Sequence, residues 1–330
     1  MSYSPHNIRN ICLLGHGGNG KTTLVESFLR MTGVIDRLGK TTDGNTVCDY
    51  DPEEIKRQIS ISAAVAPVEY NGCKINVLDA PGNFDFAGEV AECLSVADAG
   101  VLVCAAKGGM SVGTERAWRL LDERRLPRIV YISKMDEDNI DFNSAFETLR
   151  EYFGKSVAPL VVPIWDENKK VTGVVDVLHK RAFEPAGNKR KEIPIPADKV
   201  DVINEIYDQL WQEAEAYNAA LAKKANPYFF TEEDQALYDS TLNVSGTGIM
   251  GYIDIPEIKC TLPIYHGTSD AVLQVGVGHI EGSSLPVGGE GTHCVLSGHS
   301  GLPSAVLFTH LEDLDIGDLF TLQIMDETLT

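Results

Sequence analysis

No apolar run in the sequence approaches the roughly 18 residues that a membrane-spanning helix needs; the best, at 99–106, is strand-sized. The first ten residues lack the charged-then-apolar layout of a secretory leader. Together these absences predict a cytoplasmic protein with no membrane partner. The seven cysteines (Cys12, Cys48, Cys73, Cys93, Cys104, Cys260 and Cys294) are scattered and include no CxxC pair. Neither a disulfide framework nor a zinc site is therefore expected, and most read as small buried apolar residues. Basic charge is scarce too. From residue 201 onward there are three lysines, no arginine and 20 acidic groups, a net of −17 within a chain total of −20. Such a surface repels polyanions, so no nucleic-acid site is expected.

What is present divides in two. A chain of 330 residues is long enough for two ordinary cores, and the charge asymmetry points to modules of different origin. Up to about residue 157, short apolar runs alternate with helical stretches: strand at 10–14, helix at 21–31, strands at 65–70 and 74–78, then strand 100–105, helix 111–124, strand 128–133 and helix 142–153. Asn71-Gly72 is a strong hairpin signal. The order is that of a doubly wound, mostly parallel sheet. Short strands follow at 160–164 and 170–177, then a basic, Pro-containing segment at 180–196 and a long amphipathic helix at about 198–224. From residue 246 the chain is rich in Gly, Pro, Thr and Val and reads as all-β.

Residues 15–22 read GHGGNGKT. Gly15, Gly17, Gly18 and Gly20 let backbone N–H groups wrap phosphates where side chains would collide. Lys21 supplies positive charge, the Thr22 hydroxyl suits Mg²⁺, and the helix starting at Lys21 points its N-terminus at the same anion. His16, Asn19 and Thr23 complete the expected cofactor-binding stretch. Asp79-Ala80-Pro81-Gly82 ends a strand, placing Asp79 to hold the outer shell of Mg²⁺ and the Gly82 N–H to face a γ-phosphate. Ser60 could complete the metal set, although an exposed strand serine fits its position equally well. Ser133-Lys134-Met135-Asp136 ends another strand. The Asp136 carboxylate can accept both N–H groups of guanine while the Lys134 stem packs on the base; adenine would leave that carboxylate unpaired, which favours GTP over ATP.

With these motifs in place, the chain resembles the elongation factor G-like branch of the translational GTPases. GHGGNGKTTL, EEIKRQISI, NVLDAPGNFDFAGEV, GTERAW and SKMDEDNIDF carry the resemblance, which runs from about residue 7 to about 207. It implies binding of GTP and Mg²⁺, switch segments near 36–61 and 79–89, an insert subdomain after 157, and the ribosome as partner. Four departures modify that expectation. Asn83 replaces the histidine that positions the attacking water, so hydrolysis should be slow or absent. Ser133 replaces the asparagine that opens the base-reading motif, Ser60 replaces a switch threonine, and the Ser-Ala base-contact loop is not found. The family's later ribosome-binding domains are missing as well.

From about residue 211 the chain resembles class C sortases, β-barrel cysteine transpeptidases, through AEAYNAAL, NVSGTGIMGYIDIP, TLPIYHGT, GVGHIEGSSLPVGGEGTH and VLSGHSGLPSAVLF. The resemblance makes His299 the catalytic histidine, among His266, His279 and His293. Transpeptidation also needs a thiolate and an oxyanion-stabilising Arg, yet the TLxTC strand is not found and Arg190 is the last arginine. Cys260 and Cys294 read as core residues, the lid motif is at best Asn226-Pro227-Tyr228, and pilin-type substrates are not expected.

The sequence thus predicts an α/β P-loop GTPase domain at 1–209 and a truncated all-β sortase-like barrel at 210–330. The expected function is binding of Mg-GTP with slow or absent hydrolysis. The alternatives are a sortase fragment without its Cys and Arg, or a non-functional fusion of two truncated genes.

Overall fold

The computed structural model describes residues 3–4, 7–107, 110–124, 126–154, 157–187, 189–243, 248–301, 307–325 and 327–330. The chain divides into two compact units: 1–157 with 162–175 and 182–193, and 158–161 with 176–181 and 194–330.

The first unit opens with β1 (Ile8–Leu14), α1 (Lys21–Met31), α2 (Pro52–Arg57), β2 (Ala64–Tyr70), β3 (Cys73–Asp79) and α3 (Ala87–Val96). It continues with β4 (Ala99–Ala105), α4 (Val112–Glu123), β5 (Arg128–Ser133) and α5 (Phe142–Phe153). The five-stranded sheet has the order β2-β3-β1-β4-β5. β2 runs antiparallel to β3 through the Asn71-Gly72 turn, where both residues take positive φ (47° and 77°), as the right-handed strand twist requires. The other pairings are parallel.

Successive strand residues face opposite sides, so a strand covered on both faces must be apolar throughout. β1 obeys this. Cys12 and Leu14 join Leu78, Leu102, Cys93, Leu94, Leu121 and Leu149 in one core, while Leu13 joins Val77, Val103, Leu24, Val25 and Leu29 in another. Each fully buried aliphatic side chain of this kind contributes about 1.5–3 kcal/mol. The strand ends that carry the phosphate loop and Asp79 are therefore rigidly based. The basic segment after 180 supplies two strands. β6 (Val161–Trp165), β7 (Val171–Asp176), β8 (Arg181–Ala186) and β9 (Lys189–Ile193) form a four-stranded sheet in that order. β9 is its edge and is charged, a composition that discourages further strand pairing.

The second unit contains α6 (Ala197–Leu221), α7 (Glu232–Ser240), β10 (Ile249–Ile255), β11 (Cys260–His266), α8 (Asp270–Leu273), β12 (Val277–His279), β13 (Leu296–Ser297), β14 (Thr321–Ile324) and β15 (Glu327–Leu329). Its six-stranded sheet has the order β13-β12-β11-β10-β14-β15 and, among the described residues, does not close into a barrel. Helices α6 and α7 are integral to its core, where Ala214, Tyr217, Leu221 and Tyr238 pack with Ile253, Ile264, Val277, Leu285 and Ile324. Asn218 of α6 is clamped to the segment after β12: its amide donates to Leu285 O at 3.1 Å and its carbonyl accepts from Leu285 N at 2.7 Å.

Candidate functional site

The loop between β1 and α1 folds as its glycines dictate. Gly15, Gly18 and Gly20 have φ of 138°, 80° and 90°, and a Cβ on Gly15 would run into the Val103 carbonyl. Around Gly17 and Gly18, by contrast, a Cβ would meet nothing within 4 Å, so these exposed glycines border open space. Two contacts pin the loop to the neighbouring strands. Asn19 Nδ2 donates to Val103 O at 2.9 Å, and Ser133 Oγ donates to Asn19 O at 2.7 Å, with Cys104 O at 3.2 Å. Ser133 is thus turned inward to the loop at the end of β5. Asp136 and Lys134 lie exposed beyond it, Lys134 Nζ standing 3.7 Å from Glu137.

Lys21 is 6% exposed, and its Nζ donates to Gly15 O and His16 O at 3.1 and 3.2 Å. Burial lowers its pKa, while the Asp79 and Asp49 carboxylates pull it back up. Thr22 Oγ1 stands 3.2 Å from Ser60 Oγ, so the structure brings those two hydroxyls together. Thr23 and His16 are exposed. Asp79, 1% exposed at the end of β3, has neither carboxylate oxygen hydrogen-bonded among the described residues. Burial pushes its carboxyl up to about 6, against the lowering influence of the Thr22 hydroxyl and the Lys21 ammonium. Gly82 comes so close to the loop that a Cβ there would lie 2.5 Å from Lys21 Nζ and 2.6 Å from Gly17 N. Asn83 is exposed, and its side chain accepts from Asp85 N at 3.2 Å as the cap of a short turn.

Sequence reasoning missed several residues here. Asp49 is 4% exposed and its Oδ1, like the buried Thr46 Oγ1, has no hydrogen-bond partner among the described residues. Burial raises the Asp49 carboxyl and the Glu54 and Glu26 carboxylates raise it further, while the neighbouring Ser60 and Thr46 hydroxyls lower it. Glu26, Glu54 and Glu89 accept from backbone amides of the 36–63 segment. Only Glu54 carried a signal, the Asp51-Pro52-Glu53-Glu54 capping box of α2. The set suits a phosphate-bound divalent cation: hydroxyls and unpartnered buried carboxylate oxygens are hard donors, and the glycine loop leaves room for phosphate.

In the second unit His299 is half-buried just after β13, its carbonyl accepting from Phe308 N at 3.0 Å. The Cys260 thiol donates to Leu307 O at 3.5 Å and burial raises its pKa; burial pushes half-buried Cys294 up to about 12. His266 and His279 are engaged in internal hydrogen bonds. No helix among the described residues is long and apolar enough to cross a membrane.

Residues 6–243 match the family model of the elongation factor Tu GTP binding domain, and residues 253–330 match the sortase domain model. Elongation factor G of Mycoplasma genitalium is 34% identical over 210 residues, covering 63% of this chain and 30% of that protein. A crystal structure from Thermus thermophilus superposes with a TM-score of 0.61 at 31% identity, over 72% of this chain and 36% of that one. Sortase C1 from Streptococcus agalactiae aligns with a TM-score of 0.37 at 46% identity, over 38% of this chain and 64% of that one. The chain therefore spans about a third of the length of the elongation-factor relative and of the Thermus chain.

Proposed function

Because the chain belongs to the elongation factor Tu GTP-binding domain family, we propose that its first unit binds Mg-GTP as a switch and hydrolyses it slowly. One observation carries this reading: an open glycine cradle lies beside a buried Lys21 and an Asp79 whose oxygens have no hydrogen-bond partner in the described chain. A buried carboxylate left in that state is costly unless a ligand completes it.

In this reading the amides of Gly15, His16, Gly17, Gly18, Asn19 and Gly20 grip the phosphates, Lys21 neutralises them, and Gly82 N–H meets the terminal phosphate. Thr23, exposed on the first turn of α1, faces outward beside the nucleotide. Asp136 accepts from the guanine edge with Lys134 packed on the base, and Ser133 sets the base-reading loop through Asn19. Thr22 and Ser60 would ligate Mg²⁺, with Asp79 holding its water shell; the ion would offset the charge that builds on the phosphates. Asn83 is the weak point, because an amide cannot take a proton from the attacking water. A ribosomal partner extends the same reading by its family resemblance. A transpeptidase reading of the second unit draws no support from Cys260 or Cys294, because a nucleophilic thiol needs a lowered pKa and both are raised.

Single-turnover assays on the full chain test the proposal. The wild type is expected to bind GTP and turn it over slowly, and Asn83→His to speed hydrolysis at least about tenfold with affinity unchanged. A wild type already as fast as the histidine variant contradicts the role given to Asn83.

A further inference from the structure

Three consecutive backbone amides at the end of the first switch segment are held by two carboxylates from different elements. Ile61 N and Ser62 N donate to Glu54 Oε1 at 2.9 and 3.0 Å. Ala63 N donates to Glu89 Oε2 at 2.6 Å. Glu54 belongs to α2, inside the first switch segment, and is 2% exposed; its second oxygen accepts from Asp51 N at 3.1 Å. Glu89 lies in the first turn of α3, where the second switch segment ends. Immediately before the clasped amides stands Ser60, whose hydroxyl is 3.2 Å from that of Thr22. Further back, Glu26 of α1 accepts from Gly39 N at 2.8 Å and from Val47 N at 2.6 Å, so the rest of the segment hangs from the helix that carries Lys21 and Thr22.

We propose that Glu89 is a positioning residue that couples the two switches, gripping Ala63 N so that the placement of α3 is transmitted to the Ser60 hydroxyl. The inference rests on the Mg-GTP reading above, in which Ser60 ligates the metal. Charge-assisted bonds to amides are short and strong, and 2.6 Å is at the short end for an N–H···O contact. The two carboxylates divide the labour. Glu54 shapes the loop from within its own segment, whereas Glu89 reaches across from the other switch. Loss of Glu54 would thus disorder the loop generally, while loss of Glu89 would uncouple it. Ser60 would then wander relative to Thr22, and the metal would lose a ligand only in the triphosphate-bound state, where both switches engage it.

The test compares Glu89→Ala and Glu89→Gln with wild type in the full chain, using fluorescent GDP and a non-hydrolysable GTP analogue across a Mg²⁺ titration. Glu89→Ala is expected to weaken Mg²⁺-dependent analogue binding about tenfold while leaving GDP within about twofold, and Glu89→Gln, which keeps an acceptor oxygen, to restore most of the loss. Equal weakening for both nucleotides, or none for either, overturns the coupling role. Amide hydrogen exchange on the nucleotide-free protein separates this inference from the reading beneath it. Exchange of the Ala63 amide should rise in Glu89→Ala whether or not GTP binds, and unchanged exchange there overturns the clasp. Failure of the wild type to bind the analogue would instead reject the Mg-GTP reading.

Discussion

Lys21→Ala is expected to lower nucleotide affinity at least about 100-fold while leaving the sheet folded. The ammonium is 6% exposed and donates to Gly15 O and His16 O, so it is held inside the loop rather than spread on the surface. It is also the cation that offsets Asp79 and Asp49 in a site where burial raises both carboxyls. Truncating one partner of a buried, hydrogen-bonded charge pair in a binding site costs about 3 kcal/mol or more, and about 1.4 kcal/mol is tenfold in affinity. The phosphates would lose a cation and meet two carboxylates that no longer have one. Calorimetric titration with GDP and a GTP analogue would measure the loss, with circular dichroism confirming the fold. An affinity within about threefold of wild type would mean that the loop does not hold phosphate as described.

A second large effect lies in the other unit. His279 is fully buried, with Nδ1 2.8 Å from Tyr238 Oη and Nε2 2.9 Å from Ser284 O and 3.1 Å from Ser283 Oγ. A carbonyl can only accept, so the tautomer that fits carries its proton on Nε2 and accepts from the tyrosine at Nδ1. Burial, with the nearby His266, pushes the pKa of this ring from 6.5 down to about 4, against the Ser284 carbonyl. Between those values the unfolded chain takes up a proton that the folded chain refuses. The contribution of the neutral ring to stability is therefore complete above about pH 6.5 and falls progressively as pH drops towards 4, by about 3 kcal/mol in total. Denaturant titrations of the full chain between about pH 7 and 4.5 should show this slope in the transition of the second unit. His279→Gln should start less stable at neutral pH yet lose less on acidification. Parallel slopes for the two proteins would contradict the assignment.

The sequence displayed the first unit well because its logic is local. A strand, a glycine loop and a helix follow one another at 8–31, and the apolar runs of β1 and β4 are long enough to mark strands covered on both faces. The motifs at 79–82 and 133–136 sit at strand ends, as their chemistry requires. Helix α3 and the carboxylates Glu26, Glu54 and Glu89 were harder. Nothing in the sequence shows that Glu89 meets Ala63 or that Glu26 meets Gly39, because those contacts are made by tertiary packing. β9 escaped notice for another reason. As an edge strand reading Lys-Arg-Lys-Glu-Ile it has no apolar alternation to reveal it. In the second unit β10 pairs with β14 across some seventy residues, a register that only the assembled sheet specifies. Ser133 was hidden in the same way: its hydroxyl donates to Asn19 O in the phosphate loop, a contact that its place in the sequence does not show.

The central claim is that residues 15–22, 60, 79 and 133–136 form one site for Mg-GTP. Affinity of the full chain for GTP and for ATP, each with and without Mg²⁺, tests it most directly, with Asp136→Asn as the internal control. The account predicts that GTP binds at least about 100-fold more tightly than ATP, that chelating Mg²⁺ weakens GTP, and that Asp136→Asn moves the preference towards xanthosine triphosphate. Equal affinity for GTP and ATP, unaffected by Mg²⁺, would contradict it.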